Sequence, residues 1–190
     1  MSSIRLFILT SFAEHGEMHG HQVRLQAEQE HLHLWTDISV GSVYGAIKRL
    51  AAEGLLEVVR LERAGNLPER QIYAITDAGR AALARLRREG LSTIWLKPDP
   101  FDLALTRLDP DELETLADTV QARVQALKQL LQEKIWLNQR ADEYLTLSEK
   151  HALTHTEHRL RAEIAWHEEI SAAIPAIVAD EVSRRPARPR

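Results

Sequence analysis

The chain has 190 residues, long for one compact domain and short for two, so a small domain with an additional module is expected. With 44% hydrophobic and 27% charged residues, the composition is that of a folded chain. The absence of cysteine excludes disulfides, thiolate metal ligands and cysteine nucleophiles. No apolar run approaches the roughly 18 residues of a membrane span, and no secretory leader is recognisable. We therefore expect a cytoplasmic protein without a membrane partner.

Charge is distributed unevenly around a net charge of −4. Residues 38–88 contain 9 lysines and arginines against 5 aspartates and glutamates, whereas residues 98–183 contain 8 against 17. A polyanion such as DNA would be attracted to the first segment and repelled by the second. The two halves of the chain are therefore expected to have different partners.

A proline-rich break at Lys97-Pro98-Asp99-Pro100 separates the halves, because each proline removes a backbone donor and disfavours helix in the residue before it. We expect one domain at residues 1–97 and a second domain at residues 98–183. The last seven residues, RRPARPR, cannot bury apolar area and are expected to form a disordered basic tail at 184–190.

The first domain is predicted to contain three helices, a β-hairpin and a fourth helix. Ile4, Phe7, Ile8 and Phe12 at helical spacing indicate the first helix. The later elements are helices at about residues 19–30 and 40–53, strands at 55–61 and 71–75 around a turn at 64–68, and a helix at about 77–95. Gly54 suits the position after a helix, and Thr76 suits an N-cap.

The second domain is predicted to be a hairpin of two long antiparallel helices. Asp109-Pro110-Asp111-Glu112 is typical of a helix start. One apolar stripe then follows, formed by Leu113, Leu116, Val120, Val124, Leu127, Leu131 and Ile135. A second helix, from about residue 148, contains Leu153, Leu160, Ile164, Ile170 and Ile174, and Pro175 is expected to kink or end it. Two helices alone bury too little surface, so we expect a homodimer.

The order helix, helix, helix, hairpin is that of a winged helix-turn-helix, in which the third helix enters the DNA major groove. The predicted fold class is mainly α: an α+β winged helix-turn-helix with an all-α C-terminal dimerisation hairpin. On a helical wheel the third helix has an apolar face formed by Val43, Ile47, Leu50, Ala51 and Gly54, opposite a face formed by Ser42, Gly45, Lys48, Arg49 and Ala52. A hydroxyl, two cations and a small residue suit close contact with DNA. A solvated amphipathic helix is the alternative interpretation.

The candidate contacts extend from the third helix to the hairpin wing. The ring of Tyr44 could pack inward while its hydroxyl reaches a phosphate. Arg60, Arg63 and Arg70 of the wing suit phosphate contact, whereas Glu62 and Glu69 oppose it. The fourth helix is expected to present a solvated face with Arg80, Arg85, Arg87 and Arg88. The predicted DNA-binding residues are Ser42, Tyr44, Gly45, Lys48, Arg49, Arg63, Asn66 and Arg70.

Several short motifs resemble those of the PadR-like transcriptional regulators. His19-Gly20 with Val23 resembles the start of that family's second helix, and Gly41-Ser42-Val43-Tyr44 with Ile47, Lys48, Leu50, Glu53, Gly54 and Leu55 resembles its recognition helix. Pro68-Glu69-Arg70 with Tyr73, Ile75 and Thr76-Asp77-Ala78-Gly79 resembles its second wing strand and the start of its fourth helix. His21 departs from the pattern, in which tyrosine is usual. The joint order of these motifs, over roughly residues 4–95, carries the resemblance.

The resemblance implies a DNA-binding regulator whose C-terminal helices mediate dimerisation and, in some members, help to frame an effector site. Trp95 and Phe101 flank the break between the domains. Because aromatic walls suit a flat apolar ligand, these two residues are candidate contacts for a small apolar or aromatic effector, with simple core packing as the alternative.

Nine histidines raise the hypothesis of a metal site. His15, His19 and His21 are close in sequence, and His151, His155 and His158 share one helical face. Neither set includes a carboxylate placed as in a known metal site, so no metal and no cofactor is expected.

The expected function is that of a sequence-specific transcriptional regulator of double-stranded DNA. We expect a repressor that binds an inverted repeat as a homodimer and is released by an effector. A winged-helix protein-interaction module without DNA binding is the alternative, favoured by the negative net charge and the wing carboxylates. An enzyme is not expected, because the sequence has no Ser/His/Asp motif, phosphate loop, metal motif or glycine-rich dinucleotide turn.

Overall fold

The computed structural model describes residues 2–63, 69–109 and 111–184. The chain divides into two compact units between Leu96 and Lys97. Three predictions fall outside the described residues: the turn at 64–68 with Asn66, the proline at position 110 in the predicted helix start, and the basic tail from residue 185 onwards.

The described part of the N-terminal unit consists of four helices and a small sheet. In chain order these are α1 (Ser3–His15), β1 (Met18–His19), α2 (Gly20–Gln29), α3 (Val43–Ala52), β2 (Leu56–Glu62), β3 (Arg70–Ile75) and α4 (Asp77–Ser92). Short 3₁₀ turns at Leu32–Leu34 and Val40–Ser42 lie between α2 and α3. This order confirms the winged helix-turn-helix fold predicted from the sequence.

The sheet has the strand order β1-β3-β2, and both pairings are antiparallel. β2 and β3 form the predicted hairpin, in which Leu56 pairs with Ile75 and Glu62 pairs with Arg70. β1 was not predicted, because two residues are too few to show the alternation that identifies a strand. It forms through its pairing with β3, which only the folded chain provides.

The core of the N-terminal unit lies between the helices and one face of the sheet. Its most buried side chains are Ile8, Leu9 and Phe12 of α1, Val23 of α2, Val43, Ile47 and Leu50 of α3, and Leu56 of β2. Full burial of one such side chain contributes on the order of 1.5–3 kcal/mol before conformational entropy is subtracted. The core therefore fixes one face of α3 and leaves the opposite face to solvent.

Polar contacts around Thr76 fix the junction between α3, the sheet and α4. The Thr76 hydroxyl donates to the carbonyl of Gly54 (2.8 Å) and accepts from the amide of Gly79 (3.0 Å), so Thr76 is the N-cap of α4, as predicted. A Cβ atom at Gly79 would lie 2.1 Å from the carbonyl oxygen of Leu55. Gly54 has a φ of +72°, the left-handed conformation that ends a helix.

The described part of the C-terminal unit is helical. It contains α5 (Pro100–Leu105), α6 (Leu116–Ala141) and α7 (Leu147–Ser183), with 3₁₀ turns at Leu113–Thr115 and Asp142–Tyr144. Arg123 of α6 contacts His167 of α7, whereas Asn138, near the end of α6, contacts Glu157, nearer the start of α7. The two long helices are therefore antiparallel, which confirms the predicted helical hairpin.

Two helices of the N-terminal unit are shorter than predicted. The α-helical part of α3 begins at Val43, because the residues before it form a 3₁₀ turn. α4 ends at Ser92 rather than near Trp95, because Thr93 is extended. Leu91, Ile94, Trp95 and Leu96 are exposed, so no packing within the described residues extends the helix.

The helix starts and ends of the C-terminal unit also differ from the predictions. The Asp109 carboxylate accepts from the amide of Asp111 (2.9 Å) in a turn, and α6 begins only at Leu116. The short α5 was not predicted, although Asp99 caps it and Pro100 starts it. α7 continues through Pro175 to its end. None of the helices in the described parts of the chain is long and apolar enough to cross a membrane.

Candidate DNA-binding surface

The exposed face of α3 contains the side chains predicted to contact DNA from this helix. Val43, Ala46, Ile47 and Leu50 are buried, whereas Ser42, Tyr44, Gly45, Lys48, Arg49 and Ala52 are exposed. The division predicted from the helical wheel is confirmed for the buried Val43, Ile47 and Leu50 and for the exposed Ser42, Gly45, Lys48, Arg49 and Ala52. Ala51 is only half-buried, and the burial of Ala46 was not predicted. The prediction was wrong for Gly54, which is exposed because it lies beyond the end of the helix.

Lys48 and Arg49 provide the positive charge of this face. Within the described residues, neither takes part in an ion pair, although the charge of Arg49 acts on the Glu53 carboxylate, which is hydrogen-bonded to Arg5. They lie one helical turn after Gly45, where an added Cβ atom would meet the Arg49 Nη1 atom at 3.5 Å. The hydroxyl of Ser42 donates to the carbonyl of Ser39 (2.6 Å), so it can donate to a phosphate only by exchanging that bond. The two cations and the bare backbone at Gly45 are thus the available parts of the face.

Tyr44 packs across the start of α2 instead of extending fully into solvent. A Cβ atom at Gly20 would lie 2.9 Å from the Tyr44 Cδ1 atom, so the ring lies directly against that glycine. The Tyr44 hydroxyl is 3.5 Å from the His21 Nδ1 atom, and 45% of the residue remains exposed. The ring therefore connects α3 to α2, while its hydroxyl stays at the surface.

The wing places its cations in different electrostatic environments. Arg63 is exposed and has no ion pair within the described residues. Arg60 contacts both Glu17 and Glu62, and Arg70 lies 3.5 Å from Glu62. The hydrogen bond from Arg60 holds the pKa of Glu62 below its ordinary value. Arg63 is thus the wing cation that no described carboxylate engages.

An ion pair between residues far apart in the chain, which no local pattern predicts, holds the end of α3. Both terminal nitrogens of Arg5, in α1, donate to the Glu53 carboxylate at 2.6 Å. These two bonds hold the pKa of Glu53 below its ordinary value. The pair fixes α3 against α1 from outside the core.

The histidines near the start of α2 have local structural contacts. The His19 Nδ1 atom accepts from the amide of Gln22 (3.2 Å), and the Gln22 side chain accepts from the amide of His19 (2.9 Å). Burial lowers the pKa of His19, with Arg70 as the next cause, which favours the neutral ring that this capping contact requires. The His15 ring faces Gln26 at 3.3 Å. Within the described residues, no group of three metal-ligating side chains is present.

The two candidate effector residues have unlike surroundings. Trp95 is 66% exposed in the segment after α4. The Phe101 ring, in α5, lies 4.9 Å from the His167 ring and 5.6 Å from the Trp166 ring, with the Arg123 guanidinium 5.0 Å from its centre. Phe101 is therefore part of the packing of α5 on the helical hairpin.

The three-helix core, the exposed face of α3 and the β2-β3 hairpin define a winged helix-turn-helix protein. Residues 8–85 match the model of the PadR-like transcriptional regulator family. The winged domain of this chain is therefore similar to that of the PadR-like transcriptional regulators. A search of curated protein sequences gives no match.

Solved structures share the fold at low sequence identity. PadR of Bacillus subtilis bound to operator DNA has 22% identity and a TM-score of 0.63, covering 92% of this chain and 98% of that protein. The same regulator bound to p-coumaric acid has 20% identity and a TM-score of 0.64, covering 90% and 98%. A PadR-like regulator from Bacillus cereus has 17% identity and a TM-score of 0.58, covering 92% and 99%. These likenesses show the fold.

Proposed function

We propose that the chain is a sequence-specific DNA-binding transcriptional regulator whose α3 is the recognition helix. The observation that carries this proposal is the exposed face of α3, where Lys48 and Arg49 have no ion pair within the described residues and follow the bare backbone of Gly45. Unpaired cations can bind phosphates while a small residue lets the helix approach base edges. The operator complex of B. subtilis PadR supports the proposal through the shared fold.

The proposed contacts comprise Ser42, Tyr44, Gly45, Lys48 and Arg49 of α3 and Arg63, Asn66 and Arg70 of the wing. They are not expected to contribute equally. The α3 cations and Arg63 can bind a phosphate directly, whereas Arg70 must first exchange its contact with Glu62. Most of the affinity should therefore come from α3.

We further propose that the regulator is a homodimeric repressor that binds an inverted repeat, with half-sites about one turn of DNA apart. The half-buried part of the α6 stripe supports a dimer, since Leu127, Leu131 and Ile135 are only partly covered within one chain. A second copy that covers this stripe would also set the spacing of two recognition helices.

A small apolar or aromatic effector is proposed to release the repressor by favouring a dimer whose recognition helices do not match the half-site spacing. The complex of B. subtilis PadR with p-coumaric acid, an aromatic compound, supports this class of ligand. Trp95 and Phe101 are the proposed contacts. A compound that binds the dimer but leaves its operator affinity unchanged would contradict this part of the proposal.

Selection from randomised duplex DNA at near-physiological salt tests the proposed function. The wild-type protein should recover an inverted repeat, and the double variant Lys48→Ala, Arg49→Ala should recover none. Arg80→Ala, Arg85→Ala, which removes two exposed cations from α4, is the charge-matched control and should recover the same repeat.

The alternative function, a protein-interaction module, predicts a different result. The pairing of Arg60 and Arg70 with carboxylates favours this alternative, because it reduces the positive charge that the wing presents. If a stably folded wild-type protein recovers no motif, with and without aromatic acids present, the regulator proposal fails and the interaction module is favoured.

A further inference from the structure

Four charged side chains of the wing and its neighbouring strand form one cluster, Glu17, Arg60, Glu62 and Arg70. The Arg60 Nε atom donates to Glu62 (2.8 Å), the Arg60 Nη1 atom donates to Glu17, and the Arg70 Nη2 atom is 3.5 Å from Glu62. The cluster contains two cations and two carboxylates. Its arginines are therefore neutralised by the protein itself.

The sheet register determines this pairing. Arg60 and Glu62 are two residues apart on β2, so they project from the same face, and Glu62 pairs directly with Arg70 on β3. Glu17 precedes β1, which lies on the other side of β3. The hydrogen bond from Arg60 holds the pKa of Glu62 below its ordinary value, which further favours the charged carboxylate.

The cluster is also accessible to a competing anion. The side chains of Arg60, Arg70 and Glu62 are 48%, 43% and 35% exposed. Ion pairs at this exposure are individually weak, so a DNA phosphate can compete with Glu62 for either arginine. Arg63, just beyond the end of β2, has no such carboxylate within the described residues. The protein thus opposes phosphate binding at two of the wing cations and leaves the third available.

We propose that Glu62 is a positioning residue that competes with DNA phosphates for Arg60 and Arg70 and thereby limits the affinity of the wing for any DNA backbone. This inference rests on the proposed DNA-binding function. Binding to DNA of arbitrary sequence depends on phosphate contacts alone. Pairing of the wing arginines with Glu62 therefore lowers the affinity for non-specific DNA. A larger share of the total affinity then comes from α3.

Titration of the full chain against a duplex lacking the selected motif tests the proposal. Glu62→Gln should bind about two- to fivefold more tightly than wild type, and the slope of log affinity against log salt should steepen by up to about one. Glu57→Gln is the matched control, since Glu57 is an exposed carboxylate on the same strand without an ion pair within the described residues. Adding Arg70→Gln to Glu62→Gln should remove most of the gain, because Arg60 still pairs with Glu17 whereas Glu62→Gln frees Arg70.

The outcomes separate this proposal from the proposed function. Equal gains for Glu62→Gln and Glu57→Gln would show a general charge effect, and weaker binding by Glu62→Gln would show that Glu62 orients the arginines towards DNA. Either result overturns the proposal while wild-type operator binding stands. A wild-type protein that binds neither duplex overturns both proposals, and thermal melting verifies that each variant is folded.

Discussion

Gly45 is a residue at which helix stability and the proposed DNA binding have opposite requirements. Glycine inside a helix costs up to about 1 kcal/mol relative to alanine. Among the described residues, an added Cβ atom would meet only the Arg49 guanidinium, at the ordinary contact distance of 3.5 Å. The contacts of the described residues therefore give no reason for glycine at this position, whereas the proposed close approach of DNA does.

Gly45→Ala is accordingly expected to stabilise the protein by up to about 1 kcal/mol and to weaken operator binding. The gain comes from lower backbone entropy in the unfolded chain, and the loss comes from a methyl group between α3 and DNA. Urea unfolding and operator titration measure the two effects. Operator affinity equal to that of wild type would show that DNA does not approach this backbone.

Gly79 differs from Gly45, because the fold itself requires glycine at this position. Gly79→Ala places a Cβ atom 2.1 Å from the Leu55 carbonyl oxygen and should destabilise the protein by roughly 1–3 kcal/mol, despite the better helix propensity of alanine. Denaturant unfolding measures the loss. Ala78→Gly, at the neighbouring exposed position, is the control and should cost at most about 1 kcal/mol. An unchanged Gly79→Ala variant would contradict the close approach of Leu55.

The ion pair between Arg5 and Glu53, which holds the end of α3 against α1, is sensitive to pH. Arg5 holds the pKa of Glu53 below 4.5, so the carboxylate binds protons less readily in the folded state than in the unfolded state. The resulting stabilisation is fully present above pH 4.5 and is lost as the pH falls through the lowered pKa.

Arg5→Met should therefore reduce the free energy of unfolding near neutral pH, and the difference from wild type should shrink below pH 4.5. Urea unfolding over this pH range measures the difference. Lys48→Met, which removes a cation without an ion pair within the described residues, provides the control and should show no such trend. A difference that grows towards low pH would contradict the assigned role of the pair.

The attachment of α5 to the helical hairpin depends on Arg123. Its Nε atom donates to the Nε2 atom of the fully buried His167 (2.6 Å), and another nitrogen donates to Asp99, the N-cap of α5. The His167 Nδ1 atom is 2.8 Å from the carbonyl of Glu163, so that nitrogen carries the proton and Nε2 accepts. One side chain thus connects α5, α6 and α7.

Arg123→Met should cost about 2 kcal/mol of stability, because it leaves a buried ring nitrogen and a capping carboxylate without this donor. Lys128→Met, which breaks the more exposed pair with Glu168 on the same helices, should cost less than about 1 kcal/mol. Thermal melting compares the two variants. Equal losses would show that Arg123 has no special part in holding α5.

In the whole molecule, the proposed dimer predicts that a charge introduced into the half-buried stripe of α6 weakens the association of the two copies. Sedimentation equilibrium should give twice the mass of the chain for wild type. Leu131→Glu should shift the protein towards monomer, because it places a carboxylate in the half-buried stripe. Gln129→Glu, on the exposed side of α6, adds the same charge and should remain dimeric. A dimeric Leu131→Glu variant would place the interface elsewhere.

Local patterns predicted most elements of the molecule, and the exceptions share a physical cause. Helical spacing identified α1 to α4, α6 and α7, and Thr76 was identified as a cap, because these signals lie within a few residues of one another. β1 and α5 are too short to show a period. Each exists because a distant segment pairs with it or packs against it, as β3 does for β1 and Arg123 does for α5.

Helical periodicity alone predicts which face of α3 is exposed and which cations that face presents, since the side-chain period of a helix is fixed by its backbone geometry. The availability of the other charges depends on contacts between distant segments. Arg5 and Glu53 are 48 residues apart, and Arg60 and Glu17 are 43 apart. Such pairs depend on how the elements pack, which no local pattern encodes. The charge of the wing therefore follows from the fold rather than from the count of its arginines.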